Sequence, residues 1–367
     1  HYHLASINIF CKALYIADMN GFRNDFPQSY MDTVENMIMF YLNICFPDYT
    51  NPCFSDAKLT TKREMVKNYK EWSKLFPKNK AILYFASEGK KGELPSYLSK
   101  GFLKSGFFVF RNSWGEDATQ MVVKAGPKAF WHCQPDNGTF EMWFNGKNLF
   151  PDSGSYVYAG SKEVNEERNW FRQTAVHNTL TLNNKNLDQT NSKTLLWQPE
   201  GDIQTLVTEN PSYKNLTHRR SIFFVNNTYF VIVDEAIGAA KGFVNLHYQM
   251  PKGKIANSRE DMTFVTEFES GSNMKLQCFG PDGMSMKKEE GWASTAYRKK
   301  FKRMNVSFNV KKEDDAVRYI TIIYPIKDSA DAPAMSAKFK TKKFDGKNLE
   351  VEVKVGGKKK SLKYTLQ

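Results

Sequence analysis

The chain reads as an α+β protein: helices at the front, then many short antiparallel strands packed as a large β-sandwich, with the change near residue 90. Three observations predict this. Apolar residues recur at helical spacing up to about residue 86. Short runs rich in valine, phenylalanine and tyrosine follow from Lys90 onward, and Asn and Gly pairs fall where hairpins would turn. Two domains follow, 1–90 and 91–367.

The first helix is carried by Leu4, Ile7, Ile9, Phe10, Leu14 and Ile16 and stopped by Asn20 and Gly21. A second apolar helix fits 30–46, ended by Pro47, and a third, more polar one fits 60–74. Strands are read at 107–112 (FFVFRN), 121–126 (MVVKAG), 221–235 (SIFFVNNTYFVIVDE) and 319–325 (YITIIYP). Asn226-Asn227 and Asp345-Gly346 are the hairpin turns, and Gly356-Gly357 divides LEVEVKV from KKKSLKYTL. So many short antiparallel strands argue for a sandwich over an alternating α/β domain.

Composition bounds the function. With 367 residues, 41% hydrophobic and 14% aromatic, the chain can bury at least one full core. No run of about eighteen apolar residues spans a bilayer, and no nucleic-acid-binding motif is present, so neither a membrane span nor a nucleic-acid partner is expected. A net charge of +13 concentrates polyanions, of which an acidic polysaccharide is one. Five cysteines (Cys11, Cys45, Cys53, Cys133, Cys278) show no paired short spacing, which reads as free thiols, with Cys45–Cys53 the one candidate bridge. The lysine-rich stretch 338–363 alternates with Phe344, Val351, Val353 and Val355 and reads as a solvated edge sheet, a polyanion-binding patch being the alternative.

The chemistry concentrates in 131–152, WHCQPDNGTFEMWFNGKNLFPD. If 131–134 is a strand, His132 and Gln134 share one face while Trp131 and Cys133 take the other. A turn at 135–138, a returning strand at 139–144 and a second turn at 145–147 lead to Asp152. His177 arrives from TAVHNTLTL, completing a set of His, Gln, Asp and His. Arg168 and Arg172 are read as loop residues just before it, of a type whose planar fork fits carboxylate or sulfate. His1 and His3 point apart on a helix and make no metal pair; His218 and His247 read as satisfied strand residues.

The order of these pieces resembles the heparinase II/III-like polysaccharide lyases. They are a Trp-His strand, a hairpin ending in Asp152-Ser153-Gly154, and His177-Asn178-Thr179, with NWFRQTAVHNTLTL around the last. The opening HYHLASINIF resembles the end of that family's helical (α/α) toroid, and within the family the likeness is to the heparinase III type, which acts on heparan sulfate of low sulfation. The resemblance implies β-elimination at a uronic acid: a base removes the C5 proton and an acid protonates the leaving C4 oxygen.

On this resemblance Tyr2 and His132 are the acid/base pair, facing each other across a cleft. Tyr2 would donate a proton or, were cationic neighbours to lower its pKa, abstract one. Gln134, Asp152 and His177 fall at the family's metal position and imply one divalent ion, Zn, Mn or Ca, that is structural in role. A metal-free hydrogen-bond network is the alternative. The carboxylate-neutralising asparagine is expected upstream of His1, since neither Asn8 nor Asn20 replaces it. The resemblance further implies a monomer exported to the bacterial periplasm. Alternatives left open are a lyase of another polyuronate such as alginate and a non-catalytic carbohydrate-binding sandwich.

Overall fold

The computed structural model describes residues 1–129, 132–341 and 344–367. Trp131, expected on a strand with His132, lies outside the described residues. Helix α1 is Tyr2–Met19, burying Leu4, Ile7, Cys11 and Leu14 and ending at Asn20, before Gly21 turns with φ +76°. Helix α2 is Gln28–Ile44. Helix α3, Lys62–Leu75, opens on Thr61, whose hydroxyl accepts from the Glu64 amide at 3.2 Å. Helix α4, Lys80–Ala86, was not anticipated; Asn79 caps it by accepting from the Ile82 amide at 2.9 Å.

The rest folds, among the described residues, into four antiparallel sheets of five, eight, four and three strands. Phe107–Arg111, Thr119–Lys124 and Thr139–Phe144 form the middle of the five-stranded sheet. The expected hairpin at 221–235 is Leu216–Val225 returning as Tyr229–Ile237, and it occupies the middle of the eight-stranded sheet beside Ala316–Ile326. Its turn residues Asn226 and Asn227 have φ of +50° and +54°, the left-handed pair that a tight two-residue hairpin requires. Gly356-Gly357 likewise joins Asn348–Val355 to Lys358–Thr365.

Strand alternation sorts the side chains into cores. Phe108, Phe110, Met121 and Phe140 of the five-stranded sheet pack in one cluster with Phe224, Phe230 and Ile232 of the eight-stranded sheet and Leu246 and Phe308 of the four-stranded sheet. From the opposite face of the five-stranded sheet, Val109, Val122 and Trp143 join the helical core of Ile7, Ile38, Tyr69 and Trp72. The other face of the eight-stranded sheet, with Val207, Phe223 and Val231, is covered by Val351, Val353 and Leu362 of the three-stranded sheet. The lysine-rich stretch is therefore a sheet with an apolar inner face. On its outside Lys338, Lys340 and Lys359 surround Glu352 at 3.3, 3.8 and 2.6 Å.

Two local expectations are corrected. Residues 132–134 form no strand: the sheet strand ends at Lys124 and the next begins at Thr139, residues 125–129 and 132–138 lie in no strand, and His132 is left-handed at φ +57°. The shared face of His132 and Gln134 therefore does not exist. Arg168 and Arg172 are not on a loop either; they lie on α5, Lys162–Arg172, capped by Ser161.

All five cysteines are free. Among the described residues no helix is long and apolar enough to cross a membrane. His3 Nε2 sits 2.9 Å from the Met37 carbonyl, and His218 Nε2 is 2.6 Å from Asp234. His247 Nε2 is 2.8 Å from Thr181 Oγ1, and burial drives its imidazole down to about 4. Because the unfolded chain takes up that proton nearer 6.5, stability is full above pH 6.5 and falls as pH drops toward 4. Replacing His247 with glutamine is expected to remove about 2 kcal/mol of this acid sensitivity, read as the difference in unfolding free energy between pH 7 and pH 4.5.

Candidate active site

Four separate pieces of chain meet where the helices dock on the sheets. The N-terminus of α1 supplies Tyr2, the link between α2 and α3 supplies Asp56, the irregular loop supplies His132, and the segment leading into α5 supplies Tyr158, with Arg168 one turn from the helix end. Asp56 and Tyr158 were missed by sequence reasoning.

The loop holding His132 is fastened at several points. Lys124 donates to both oxygens of Asp136, at 2.6 and 2.8 Å, and to Ser55 Oγ at 2.9 Å. Arg172 donates to the Cys133 carbonyl at 3.0 Å, and Thr174 Oγ1 to the Pro135 carbonyl at 2.6 Å. Such fastening can hold a histidine in a left-handed conformation that costs it energy in free peptide.

The imidazole is enclosed on three sides. The Tyr2 ring stacks on it with centroids 3.9 Å apart and planes 25° from parallel. Asp56 Oδ2 lies 3.0 Å from Nδ1, and the Tyr158 hydroxyl lies 2.8 Å from Nδ1 and 3.3 Å from Nε2. Arg168 reaches both oxygens of Asp56 at 3.0 Å and the Val157 carbonyl at 2.9 Å. Both expected substrate-binding arginines thus donate to the protein itself.

Two expectations about the pair change. Tyr2 and His132 do not face each other across a cleft; their rings are in contact, leaving no room for a sugar ring between them. Nor is the phenol of Tyr2 lowered by cations. Its hydrogen bond with Tyr158, then burial, then the negative charges of Tyr158 and Asp56 push it up to about 12, and the opposing pull of Arg168 does not prevail. Tyr2 therefore holds its proton at neutral pH. Beside His132, a cavity of about 320 Å³ is lined by Lys124, Pro127, Cys133, Gln134, Gln189 and Thr190 among others.

Gln134, Asp152 and His177 lie buried behind this surface. His177 Nδ1 is 2.8 Å from Asp152 Oδ2, whose other oxygen accepts from the Gly154 amide at 2.8 Å. Gln134 donates to the carbonyls of Ser55 and Gly154, at 3.1 and 3.4 Å. Two atoms are left buried and without a partner: His177 Nε2 and Gln134 Oε1. Both are ligand atoms, an imidazole nitrogen and an amide oxygen. Orphaned polar atoms of this kind are rare in native interiors, so the donor set fits a cation. Among the described residues no group of three His, Cys, Asp or Glu side chains is placed to hold one, so a site here would depend on the amide of Gln134. Nearby, burial and the neighbouring Asp152 push the Glu141 carboxyl up to about 8.

The helices dock on antiparallel sheets, and the Tyr2–His132 contact lies at their joint. Residues 1–84 match the heparinase II/III N-terminus family model and residues 95–338 the heparinase II/III-like C-terminal model, so the chain belongs to the heparinase II/III-like family. Over its whole length it is 78% identical to a heparin-sulfate lyase of Bacteroides stercoris, of which it covers 55%. It is 39% identical to the heparin-sulfate lyase of Pedobacter heparinus over 97% of this chain and 54% of that one. A solved heparinase III structure superposes on all of the chain with a TM-score of 0.99 at 79% identity, 57% of that structure being covered. The heparan sulfate lyase structure from Pedobacter heparinus gives 0.95 at 38% identity, with 58% of it covered. The chain spans about half the length of the curated relatives it matches.

Proposed function

We propose that this chain is the catalytic-joint portion of a lyase that cleaves low-sulfated heparan sulfate by β-elimination. The observation that carries the reading is the stacked Tyr2–His132 pair, one neutral phenol against one imidazole, at the junction of helices and sheets. The names of its relatives support the substrate. In this reading residues 1–90 close an α/α toroid and 91–367 form the β-sandwich.

Three tasks follow from the chemistry. The C5 proton is acidic only because the adjacent carboxylate can take up the electron pair, so that carboxylate must be neutralised. Asn8 accepts from the Trp72 indole at 3.3 Å and Asn20 donates to the Ile16 carbonyl at 2.8 Å, so each serves its own helices and neither is assigned this task. His132 takes the C5 proton. Tyr2, protonated at neutral pH, gives its proton to the C4 oxygen as that bond breaks. Because the two groups stand side by side, they approach the sugar from one face. In glucuronate the C5 hydrogen and the C4 oxygen share a face, whereas in iduronate they oppose each other; the arrangement favours glucuronate. Arg168 and Arg172 stand at the margin of this site, with only the N–H groups not already given to the protein left for a sulfate or carboxylate.

The metal reading follows the orphaned atoms. His177 Nε2 and Gln134 Oε1 would hold one divalent ion, with Asp152 as a further ligand or as the acceptor that orients His177. Bound, the ion would pin the loop to the Asp152 hairpin and supply no proton chemistry. An oxygen-richer set than three nitrogens suits Mn or Ca as well as Zn. Chelation is expected to lower the melting temperature of the wild-type protein by several degrees and to leave a His177→Ala variant unchanged, as read by calorimetry alongside metal analysis. A monomer located in the periplasm completes the proposal.

The test is the appearance of 4,5-unsaturated uronate absorbance when the full-length protein meets heparan sulfate, with alginate in parallel. Product from alginate alone would transfer the reading to another polyuronate. Tight polysaccharide binding with no product from either would leave a carbohydrate-binding protein.

A further inference from the structure

We propose that Asp56, clamped by Arg168, is a positioning residue that fixes the tautomer and orientation of His132; the proposal rests on His132 being the group that takes the C5 proton. The Asp56 side chain is 3% exposed and that of Arg168 13%. Both carboxylate oxygens accept from the same nitrogen, Arg168 Nη2, at 3.0 Å, so one charged donor bridges the carboxylate. Arg168 is itself held by the Val157 carbonyl at 2.9 Å and lies over the Tyr158 ring, 4.7 Å from its centroid. This is a rigid carboxylate with a defined direction.

A carboxylate paired to arginine only accepts hydrogen bonds. With Asp56 Oδ2 3.0 Å from His132 Nδ1, the proton of the neutral imidazole must sit on Nδ1, and the Nε2 lone pair is the one left to act. The Tyr158 oxygen, 2.8 Å from Nδ1, then shares that N–H as a second acceptor. During elimination the C5–H electron pair passes into the uronate carboxylate system as Nε2 gains the proton. Asp56 remains a carboxylate and faces the imidazolium that forms. After the C4–O bond breaks, with its oxygen protonated by Tyr2, the imidazolium proton returns through solvent to the Tyr2 phenolate, and the enzyme is restored.

The origin of the parts argues that this contact is more than local packing. Asp56 comes from the link between two helices, His132 from a loop between sheet strands and Arg168 from α5; no two are neighbours in sequence. The three converge on one ring. His132, left-handed and outside any strand, has no sheet to fix its side chain, and the carboxylate supplies what the backbone does not.

The experiment compares Asp56→Asn, Asp56→Glu, Arg168→Gln and His132→Ala in the full-length protein. It measures kcat and KM on heparan sulfate, melting temperature, and the ¹⁵N resonances of His132. Asp56→Asn is expected to lower kcat about 10² to 10³-fold with KM within about twofold, because an amide N–H facing Nδ1 favours the opposite tautomer and occupies the base. The ¹⁵N spectrum is expected to move from an Nδ1–H to an Nε2–H signature. Asp56→Glu recovers part of the rate, Arg168→Gln loses about tenfold, and Asp56→Asn adds little to His132→Ala. An unchanged tautomer in Asp56→Asn, or a rate loss that only follows the melting temperature, overturns the proposal. The tautomer readout needs no substrate, so it separates failure of the positioning from failure of the lyase reading, which an active His132→Ala enzyme would show.

Discussion

Tyr2→Phe and His132→Ala will each reduce turnover of heparan sulfate by about 10² to 10⁴, and the double variant will lose little more than the worse single one. Non-additivity is expected because proton removal and proton delivery serve one bond-breaking event; with either missing, the other has nothing to complete. Tyr2 is 44% exposed and its hydroxyl carries no part of the core, so Tyr2→Phe should melt within a degree or two of the parent. KM should change little, since neither group is asked to bind substrate tightly in its ground state. Steady-state rates from product absorbance on the full-length protein check this, with circular dichroism to show that the folds are equal. A Tyr2→Phe enzyme at full speed would remove the phenol from the mechanism. It would leave His132 or an outside group to protonate the leaving oxygen.

The largest stability effect is expected at Asp234, far from any reacting atom. Arg220 and Asp234 are cross-strand partners, joined by bonds of 2.7 and 3.2 Å, and His218 adds a third contact at 2.6 Å. All three side chains are buried. Arg220 uses its remaining reach on the carbonyls of Gly138 and Asn178, at 2.5 and 2.6 Å. Asp234→Ala would strand a guanidinium in the interior, a loss of about 3–5 kcal/mol when one member of a buried pair is removed. Urea unfolding measures it. A surface ion pair such as Lys302–Glu290, by contrast, can be broken with hardly any effect.

Much of the architecture was legible because the sequence states it locally. Apolar residues at helical spacing, with Asn20 and Gly21 behind them, specify α1. Asn226-Asn227 between two apolar runs specifies the central hairpin. The site was legible only in part. His132, Asp152 and His177 stood out as polar groups in apolar surroundings, but alternation was applied to 131–134 as though it were a strand. Pro127 and Pro135 bracket that segment and remove two ladder donors, which was the available warning. Helix α5 was read as loop because its sequence KEVNEERNWFR buries only Phe171; Ser161 followed by good helix formers was the signal that could have found it. Asp56 and Tyr158 had no signal of their own. An aspartate in NPCFSD and a tyrosine in SYVYAG are ordinary turn and loop residues, and only tertiary convergence gives them a partner.

The packing of the helices on the five-stranded sheet bears on how such a chain can be divided. Val109, Val122 and Trp143 belong to the same apolar cluster as Ile38 and Trp72, so the change of element type near residue 90 is not a seam in the interior. A cut there would strip the floor from beneath the helices and leave a greasy wall on the sheets, and neither product would be a true module. Recombination that swaps one half for a relative's must match that buried contact residue by residue, so the helical part and the first sheet are expected to be inherited together.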